Sequence, residues 1–358
     1  MRWSGRQQLP GLAPGETAEL AIPLEKVNLK AAIKKGQEIS VRLHVVRREA
    51  SVYADAGHEE AAAGFILTER AAMDALPKDR SKAVVESNEG MLKVAVGKVE
   101  MAFDELTGRA ESLVINGREM FERGNGFLFD NFRYVENDRR DQVSYFMDGG
   151  MEDTGTVEVS SDETGHTVVR TVRKGSKTDQ ELTYVIHGNG TVDVYVTLNP
   201  HSGELLRAGV SCFLGRQYSN VKYHAFGPYE NYSDRPSGTM LGRYSQTVDQ
   251  MLHPYVKPQS TGNREGLREL ELLDDSGCGF RIEIDGSCSF TALRYTDYEL
   301  FDAPHQWELP ESDKVVLHLD AAQKGVGNGS CGYRTHTIPE YCVPQQETSL
   351  HFRITEVR

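Results

Sequence analysis

Carboxylates, an arginine and glycines are concentrated in short segments of the second half of the chain, and these residue types could do chemistry. The segment Gly227–Arg235 reads GPYENYSDR and contains Glu230, Asp234 and Arg235 among turn-forming residues. A carboxylate and a guanidinium form strong bidentate pairs, so a buried Asp–Arg pair would hold such a loop rigid. The same groups could instead bind a sugar. We expect this segment to act as scaffold.

A glycine-rich loop is the second candidate. Gly325–Gly332 contains four glycines in eight positions. Glycine packs no side chain into a core and permits positive φ and close backbone approach, so such a loop is typical of a functional surface. Asn328 and Ser330 could line a pocket there. Tyr333, directly after the loop, could supply an aromatic platform.

The 11 histidines invite a metal or acid–base interpretation. None lies in HxH or HExxH spacing, so no metal site and no cofactor are predicted for this chain. An enzyme that interconverts sugar anomers would need a His acid, a Glu base and a second His in one cleft. His224, His253 and Glu230 are the nearest candidates, although spacing alone does not bring them together.

Trp307 lies in the short segment His305–Leu309. Aromatic rings at exposed strand ends are typical sugar platforms, because the ring face meets the C–H groups of the sugar. Packing of the ring at a sheet edge is the alternative, and we expect that alternative here.

Composition limits the partners. The chain has 53 acidic and 40 basic residues, a net charge of −13, which repels nucleic acid and anionic lipid and favours neutral ligands such as sugars. The amino terminus has no apolar core of a signal peptide, and no stretch reaches the roughly 18 apolar residues of a membrane helix, which predicts a cytoplasmic protein. The cysteines are odd in number and lack CxxC spacing, so all are expected as free thiols: Cys212, Cys278, Cys288, Cys331 and Cys342.

Apolar and polar residues alternate with period two along most of the chain, which predicts strands. Residues 1–75 contain too few of them for the roughly seven strands of an immunoglobulin-like sandwich, so a partial domain is predicted there. The polar, lysine-bearing stretch 76–90 predicts a linker. Residues 91–358 show strands without βαβ rhythm, which predicts a large sandwich of two sheets. The fold class is therefore all-β.

In their order and separation, Gly227–Arg235, Pro254–Ser260 and Gly325–Gly332 resemble the carboxy-terminal domain of the large bacterial β-galactosidases of glycoside hydrolase family 2. Nearly the whole chain shares the resemblance. Three further segments are similar to the end of the family's fourth, immunoglobulin-like domain, to the opening hairpin of its fifth domain, and to its Phe-Arg-Ala-Pro-x-Asp-Asn-Asp loop: Ala54–Glu59, Phe103–Gly108 and Asn131–Asp138.

The resemblance implies a fifth domain with the supersandwich fold that the family shares with galactose mutarotase. It also implies a parent enzyme whose two catalytic glutamates, roughly 5–5.5 Å apart, lie in a preceding barrel. Neither can be placed here, because Asn88-Glu89 copies the acid/base dipeptide but lies in the predicted linker. The Mg and Na that the family commonly uses would likewise belong to that barrel. Where many members have a sugar-stacking tryptophan, this chain has Cys331 or Gly332, and Tyr333 could substitute.

The resemblance therefore implies the non-catalytic, carboxy-terminal portion of a β-galactosidase, inactive alone, that helps to shape a substrate pocket. Its expected partners are the remaining domains or a large subunit, a weakly bound β-galactoside or galactose, and as an open alternative a second copy of itself. A stand-alone carbohydrate-binding module and an aldose 1-epimerase-like protein are the alternatives. The short first domain favours a fragment over a natural small subunit. The expected substrate-binding residues are Asn328, Ser330, Cys331 and Tyr333.

Overall fold

The computed structural model describes residues 4–24, 28–136, 150–201, 203–327 and 337–358. The chain forms two compact units, Met1–Ala72 and Met73–Arg358. None of the helices in the described ranges is long and apolar enough to cross a membrane.

The first unit contains a short helix and one antiparallel hairpin. Helix α1 (Leu29–Lys34) begins where the Asn28 side chain accepts a hydrogen bond from the backbone N–H of Ala31 at 2.9 Å. Strands β1 (Ile39–Val46) and β2 (Glu59–Thr68) pair with each other. Two strands are the whole sheet of this unit within the described residues. The partial immunoglobulin-like domain expected from the sequence stays a prediction.

The second unit opens with a five-stranded antiparallel sheet in sequential order. Asn116 and Gly117 form one of its tight turns, and their φ values of 53° and 80° fit the Asn-Gly hairpin predicted there. The strands are β3 (Ala83–Asn88), β4 (Met91–Val96), β5 (Val99–Asp104), β6 (Ala110–Ile115) and β7 (Arg118–Glu119).

The structure differs from the linker predicted over residues 76–90. Residues 83–88 form β3, and the division between the two units falls between Ala72 and Met73. Every side chain of β3 is exposed, so this edge strand is held through its backbone and carries almost no buried apolar pattern. Hydrophobic alternation in the sequence therefore does not predict β3.

The residues just before β3 are also attached to other parts of the second unit. The Asp79 carboxylate accepts a hydrogen bond from the Gly188 N–H at 2.7 Å, and a ring nitrogen of the buried His166 lies 2.8 Å from the Pro77 carbonyl. Burial alone would lower the pKa of His166, but its bonds to the Asp162 carboxylate and to that carbonyl raise it above its ordinary value. A protonated His166 donates from both ring nitrogens and fixes this segment.

Trypsin is therefore expected to cut slowly after Lys78, Arg80 and Lys82, although these side chains reach solvent. His166→Ala removes the attachment and should speed cleavage there about fivefold, because one buried hydrogen bond contributes about 1 kcal/mol to local closure. Timed digestion followed by mass spectrometry measures this, with His58→Ala as control. Rapid cutting of the unaltered chain between residues 76 and 90 would instead show a true linker.

The larger sheet has 12 antiparallel strands. Its central strand pairs with β19 through its first half and with β18 through its second half, so the sheet branches and curls around the core. The strands are β8 (Leu128–Phe129), β9 (Met151–Ser161), β10 (Thr167–Gly175), β11 (Thr178–His187), β12 (Thr191–Pro200), β13 (Arg207–Gly215), β14 (Asn220–Gly227), β15 (Met240–Thr247), β16 (Arg264–Leu273), β17 (Gly279–Leu293, the central strand), β18 (Lys314–Gln323) and β19 (Thr348–Val357).

The two sheets of the second unit pack on one apolar core. Phe103 of the small sheet meets Tyr184 of the large sheet edge to face, with ring centroids 5.5 Å apart. Two short helices, α2 (Val248–Met251) and α3 (Asp297–Asp302), follow strands of the large sheet, and both begin with a capping box. The all-β sandwich expected from the sequence is confirmed.

Strands β17 and β18 turn polar side chains away from that core. His318 and Asp320 of β18 lie opposite Thr291 and Ser289 of β17, whereas the intervening residues, such as Leu319, face the apolar core. All four polar side chains are buried. They form one side of a polar layer that is covered by loops.

Candidate functional site

Four segments that are far apart in the sequence meet above the polar layer. We call them the motif face: Asp130–Glu136, Gly227–Arg235, Pro254–Asn263 and Lys324–Gly327. Backbone hydrogen bonds join the first to the third (Ser260 N–H to the Tyr134 carbonyl, 2.6 Å) and the second to the third (Asn231 N–H to the Asn263 carbonyl, 2.9 Å).

Glu230 is the central tie of the motif face. Its carboxylate accepts hydrogen bonds from the Tyr255 hydroxyl, the Thr261 hydroxyl at 2.7 Å, the Gly262 N–H at 2.9 Å and the Arg235 guanidinium at 2.6 Å. Burial alone would raise the pKa of Glu230, but these donors hold it below its ordinary value. The carboxylate is ionised and fully engaged, so it serves as a structural tie and not as a base.

Arg235 pairs with Glu230, and not with the neighbouring Asp234 as the sequence suggested. The chain reverses between Tyr232 and Arg235, which brings the guanidinium back over Glu230, five residues earlier. Asp234 instead accepts hydrogen bonds from two backbone N–H groups of the glycine-rich segment. The ion pair that stabilises this segment is therefore Glu230–Arg235, and not the expected Asp–Arg pair.

Asp234 fixes the beginning of the glycine-rich loop. Its two carboxylate oxygens accept from the N–H of Val326 at 3.0 Å and of Gly327 at 2.7 Å. A Cβ at position 325 would lie 2.5 Å from the Asp234 carboxyl carbon, so only glycine allows this approach. The buried Arg133 holds the opposite side by donating to the carbonyls of Lys324 and Gly325, the latter at 3.0 Å.

The four substrate-binding residues expected from the sequence lie just beyond this anchored stem. Asn328, Ser330, Cys331 and Tyr333 fall within 328–336, outside the described residues, and their roles stay predictions. The chain is described again from Thr337, whose hydroxyl donates to the Gly325 carbonyl at 2.8 Å. The residues before and after 328–336 are thus attached to each other through the Gly325 carbonyl.

A buried ion cluster lies beneath the motif face. The Arg207 guanidinium, 1% exposed, donates at 2.8 Å both to an oxygen of Asp297 and to Nδ1 of His318. Its Nε lies 3.5 Å from an oxygen of Asp320. Asp297 also accepts from the Ser260 hydroxyl, which links the cluster to the motif face. Burial, and then the Arg207 charge, lower the pKa of His318 well below its ordinary value, so the imidazole is neutral.

Three carboxyl groups in and next to this layer have raised pKa values. Burial raises the pKa of Asp320 to about 6, against the opposing charge of Arg207. Burial likewise raises the pKa of Asp130 to about 6, and that of the half-buried Glu265 to about 7, with the charges of Asp320 and Asp234 adding to the latter. The layer therefore binds protons near neutral pH, and its charge depends on pH.

Comparison with known proteins settles the family. Residues 95–354 match the family described as the β-galactosidase small chain, and we call them the small-chain domain. Residues 2–68 match β-galactosidase domain 4. The chain belongs to the β-galactosidase small-chain family. The resemblance inferred from the motif segments is thereby confirmed.

The chain has relatives among curated β-galactosidases. It is 28% identical to the enzyme of Streptococcus thermophilus over 329 residues, which is 88% of this chain and 31% of that protein. It is 29% identical to the enzyme of Lactobacillus delbrueckii subsp. bulgaricus over 351 residues, 94% of this chain and 33% of that protein. The chain spans about a third of the length of these relatives.

Solved structures of low sequence identity also align with the chain. A galactose 1-epimerase from Lactobacillus acidophilus NCFM aligns over 78% of this chain and 98% of its own, with a TM-score of 0.41 and 8% identity. A putative aldose 1-epimerase from Escherichia coli K12 covers 78% of this chain and 99% of its own, with a TM-score of 0.39 and 10% identity.

His224, His253 and Glu230 were the candidates for an acid–base site of the epimerase type. Glu230 is not available as the base of such a site. Glu230 is committed to four donors, and His253 reaches it only by packing on Tyr255, at 4.5 Å between ring centroids. The cluster of Arg207, His318 and Asp320 was not predicted from the sequence. Its signal was the pair of polar residues at alternate positions in the otherwise apolar strand VVLHLD.

Trp307 and Glu89 also differ from their sequence interpretations. Trp307 is 79% exposed on the 3₁₀ turn Gln306–Glu308, and is not packed at a sheet edge. Glu89 lies in the tight turn between β3 and β4 with a φ of 52°, exposed to solvent and not within a linker. Within the described ranges of the small-chain domain, no three His, Cys, Asp or Glu side chains are grouped to hold a metal ion.

Proposed function

We propose that this chain is the carboxy-terminal, non-catalytic part of a β-galactosidase. Its motif face would complete the substrate pocket of a catalytic domain, carried by the same polypeptide or by a large subunit. The relatives that it matches are named β-galactosidases, and it corresponds to about a third of each. The convergence of the four motif segments on the stem of one glycine-rich loop is the observation that carries the proposal.

The motif face is built for rigidity. Glu230 takes four hydrogen bonds, Asp234 takes two N–H groups, and Arg133 donates to two carbonyls. Charge-assisted hydrogen bonds to backbone groups fix a loop more strongly than neutral ones. A loop held at its stem to within about 0.5 Å can position the residues that follow against a substrate. This favours a positioning role for the small-chain domain.

The hydrolytic carboxylates are proposed to come from the catalytic domain. A retaining glycosidase needs two carboxyl groups roughly 5–5.5 Å apart and open to the sugar. Glu230 is engaged by four donors, and Asp297 and Asp320 are buried against Arg207. Each of these carboxylates therefore has a structural role. The Mg and Na that the resemblance implies are proposed to be held in the catalytic domain as well.

The proposal also covers setting and partners. We propose a cytoplasmic location, a neutral galactoside as the ligand of the assembled pocket, and the catalytic portion as the protein partner. The net charge of −13 supports a neutral ligand over a phosphate-bearing one.

The isolated chain is expected not to hydrolyse an aryl β-galactoside, and the chain assembled with the catalytic domain of its own enzyme is expected to do so. Release of nitrophenol measures both. Polarimetry of galactose mutarotation on the isolated chain tests the epimerase alternative, and no acceleration is expected because His318 and Asp320 are under 5% exposed. Hydrolysis by the isolated chain that survives Glu89→Ala would contradict the proposal.

A further inference from the structure

Trp307 forms an exposed aromatic surface that the proposed function does not use. Its side chain is 79% exposed. Indole carries one of the largest apolar surfaces of any side chain, and its burial would stabilise the fold. A large ring that remains in solvent while its backbone is held firmly indicates a binding surface.

The turn that carries Trp307 is fixed from two sides. The Gln306 side-chain amide donates to the Tyr255 carbonyl, and the Lys257 ammonium donates to the carbonyls of Phe301 at 2.7 Å and Ala303 at 2.6 Å. Both contacts attach the segment to the Pro254–Asn263 part of the motif face. The ring is therefore presented by rigid backbone, which reduces the entropy lost when a ligand binds.

One face of the indole is already covered. The His305 imidazole lies parallel to it, with ring centroids 4.3 Å apart and planes 8° apart, and His305 Nδ1 is 2.9 Å from a carboxylate oxygen of Glu308. With 79% of the residue exposed, the opposite face is open to solvent. The result is a flat apolar face with an imidazole and a carboxylate, both half-exposed, at its rim.

We infer that the stacked Trp307–His305 pair is a saccharide-binding platform for a neutral pyranoside. A pyranose presents C–H groups on one face and hydroxyl groups around its edge, which matches a ring face with a polar rim. The inference rests on the proposed function only for the choice of sugar, a β-galactoside. The platform belongs to this chain alone and needs no second domain.

Other occupants fit the surface less well. Val256 is the other large exposed apolar side chain of the two joined segments, 254–263 and 301–309. A stable protein interface buries about 800 Å² per partner around several anchors, more than one ring and one valine provide. A nucleic acid base could stack on the ring, but the net charge of −13 repels its phosphates.

Lactose titration of the isolated chain tests the platform. The chain has two tryptophans, so Trp3→Phe leaves Trp307 as the single indole reporter. We expect a saturable change in its fluorescence on addition of lactose. By calorimetry, Trp307→Ala should weaken lactose binding at least tenfold, with an unchanged melting temperature because the ring is exposed.

Tyr195→Ala is the matched control. Tyr195 also stacks on a histidine, His351, with centroids 4.1 Å and planes 8° apart, and is 42% exposed in strand β12. Lactose affinity should be unaffected by this change. Equal losses in the two variants, or lactose binding that survives Trp307→Ala, would overturn the inference. So would a Trp307→Ala variant that assembles poorly with the catalytic domain yet binds lactose normally. A chain that binds lactose through Trp307 but fails to restore hydrolysis would leave the platform intact and refute the proposed function.

Discussion

Replacing Asp234 by alanine is expected to lower by about a hundredfold the kcat/KM of the β-galactosidase that this chain is proposed to complete. The carboxylate accepts from the N–H groups of Val326 and Gly327, at 3.0 and 2.7 Å, and these bonds fix the stem of the glycine-rich loop. Each charge-assisted hydrogen bond contributes about 1.5–3 kcal/mol. Their loss would allow the loop to shift, and a misplacement of about 1 Å can cost a hundredfold in rate.

Steady-state kinetics and a thermal melt on the same preparations measure the effect. Asp275→Ala is the matched control, because Asp275 is an exposed aspartate in another turn, where it accepts from the Asn220 amide at 3.1 Å. It should leave kinetics unchanged. Asp234→Asn retains one acceptor oxygen and should give an intermediate loss. If Asp234→Ala lowers the melting temperature and leaves kcat/KM intact, Asp234 is a purely structural residue and the pocket role of the loop is lost with it.

The sandwich could be predicted from the sequence because alternation and turn residues are local signals. The long alternating stretch beginning at Thr191 is β12, and Asn116-Gly117 is a hairpin turn. Strand β3 could not be found in this way, since its side chains are all exposed and the strand is held by backbone pairing alone. A hydrophobic pattern in the sequence indicates which side chains are buried, and an edge strand can form without burying any side chain.

The candidate site was predicted only in part. The motif segments predict where the site lies, but not which of its residues form hydrogen bonds and ion pairs with each other. Gly227–Arg235 is a scaffold as expected, yet the choice of Glu230 over Asp234 as the partner of Arg235 depends on how the turn folds back. The cluster of Arg207 with Asp297 joins residues 90 positions apart. Nothing in their sequence spacing encodes that contact, which arises only when the sheet and α3 are in place.

Acidification from pH 8 to pH 5 is expected to increase the free energy of unfolding of the isolated chain. The pKa of Asp320 is raised to about 6 in the folded protein, and that of Glu265 to about 7, whereas both carboxyls titrate near 4 when unfolded. The folded state therefore holds protons that the unfolded state has released. The stabilisation is complete below about pH 4 and is lost as pH rises through 6 to 7.

The raised pKa of His166 acts in the same direction, because its stabilising charge is lost as pH rises. Carboxylates with lowered pKa, such as Glu230 and Asp79, lose their contribution only as pH falls below about 4, outside this range. His318 acts in the opposite direction, because its lowered pKa keeps the folded imidazole neutral while the unfolded imidazole takes up a proton below about pH 6.5. The raised pKa values of Asp130, Glu265 and Asp320, together with that of His166, are expected to outweigh this one group between pH 5 and 8.

Asp320→Asn should flatten this dependence. A raised pKa of about two units corresponds to roughly 3 kcal/mol at most, so the variant should be more stable than the unaltered chain by up to about 2–3 kcal/mol at pH 8 and by much less at pH 5. Urea unfolding at a series of pH values measures both differences. Asp313→Asn, a change of an exposed aspartate near β18, should leave the curve unchanged. A variant that loses stability equally at every pH would mean that Asp320 is ionised throughout and is needed as the partner of Arg207. The pH dependence of stability would then have to come from Asp130 and Glu265, whose pKa values are also raised.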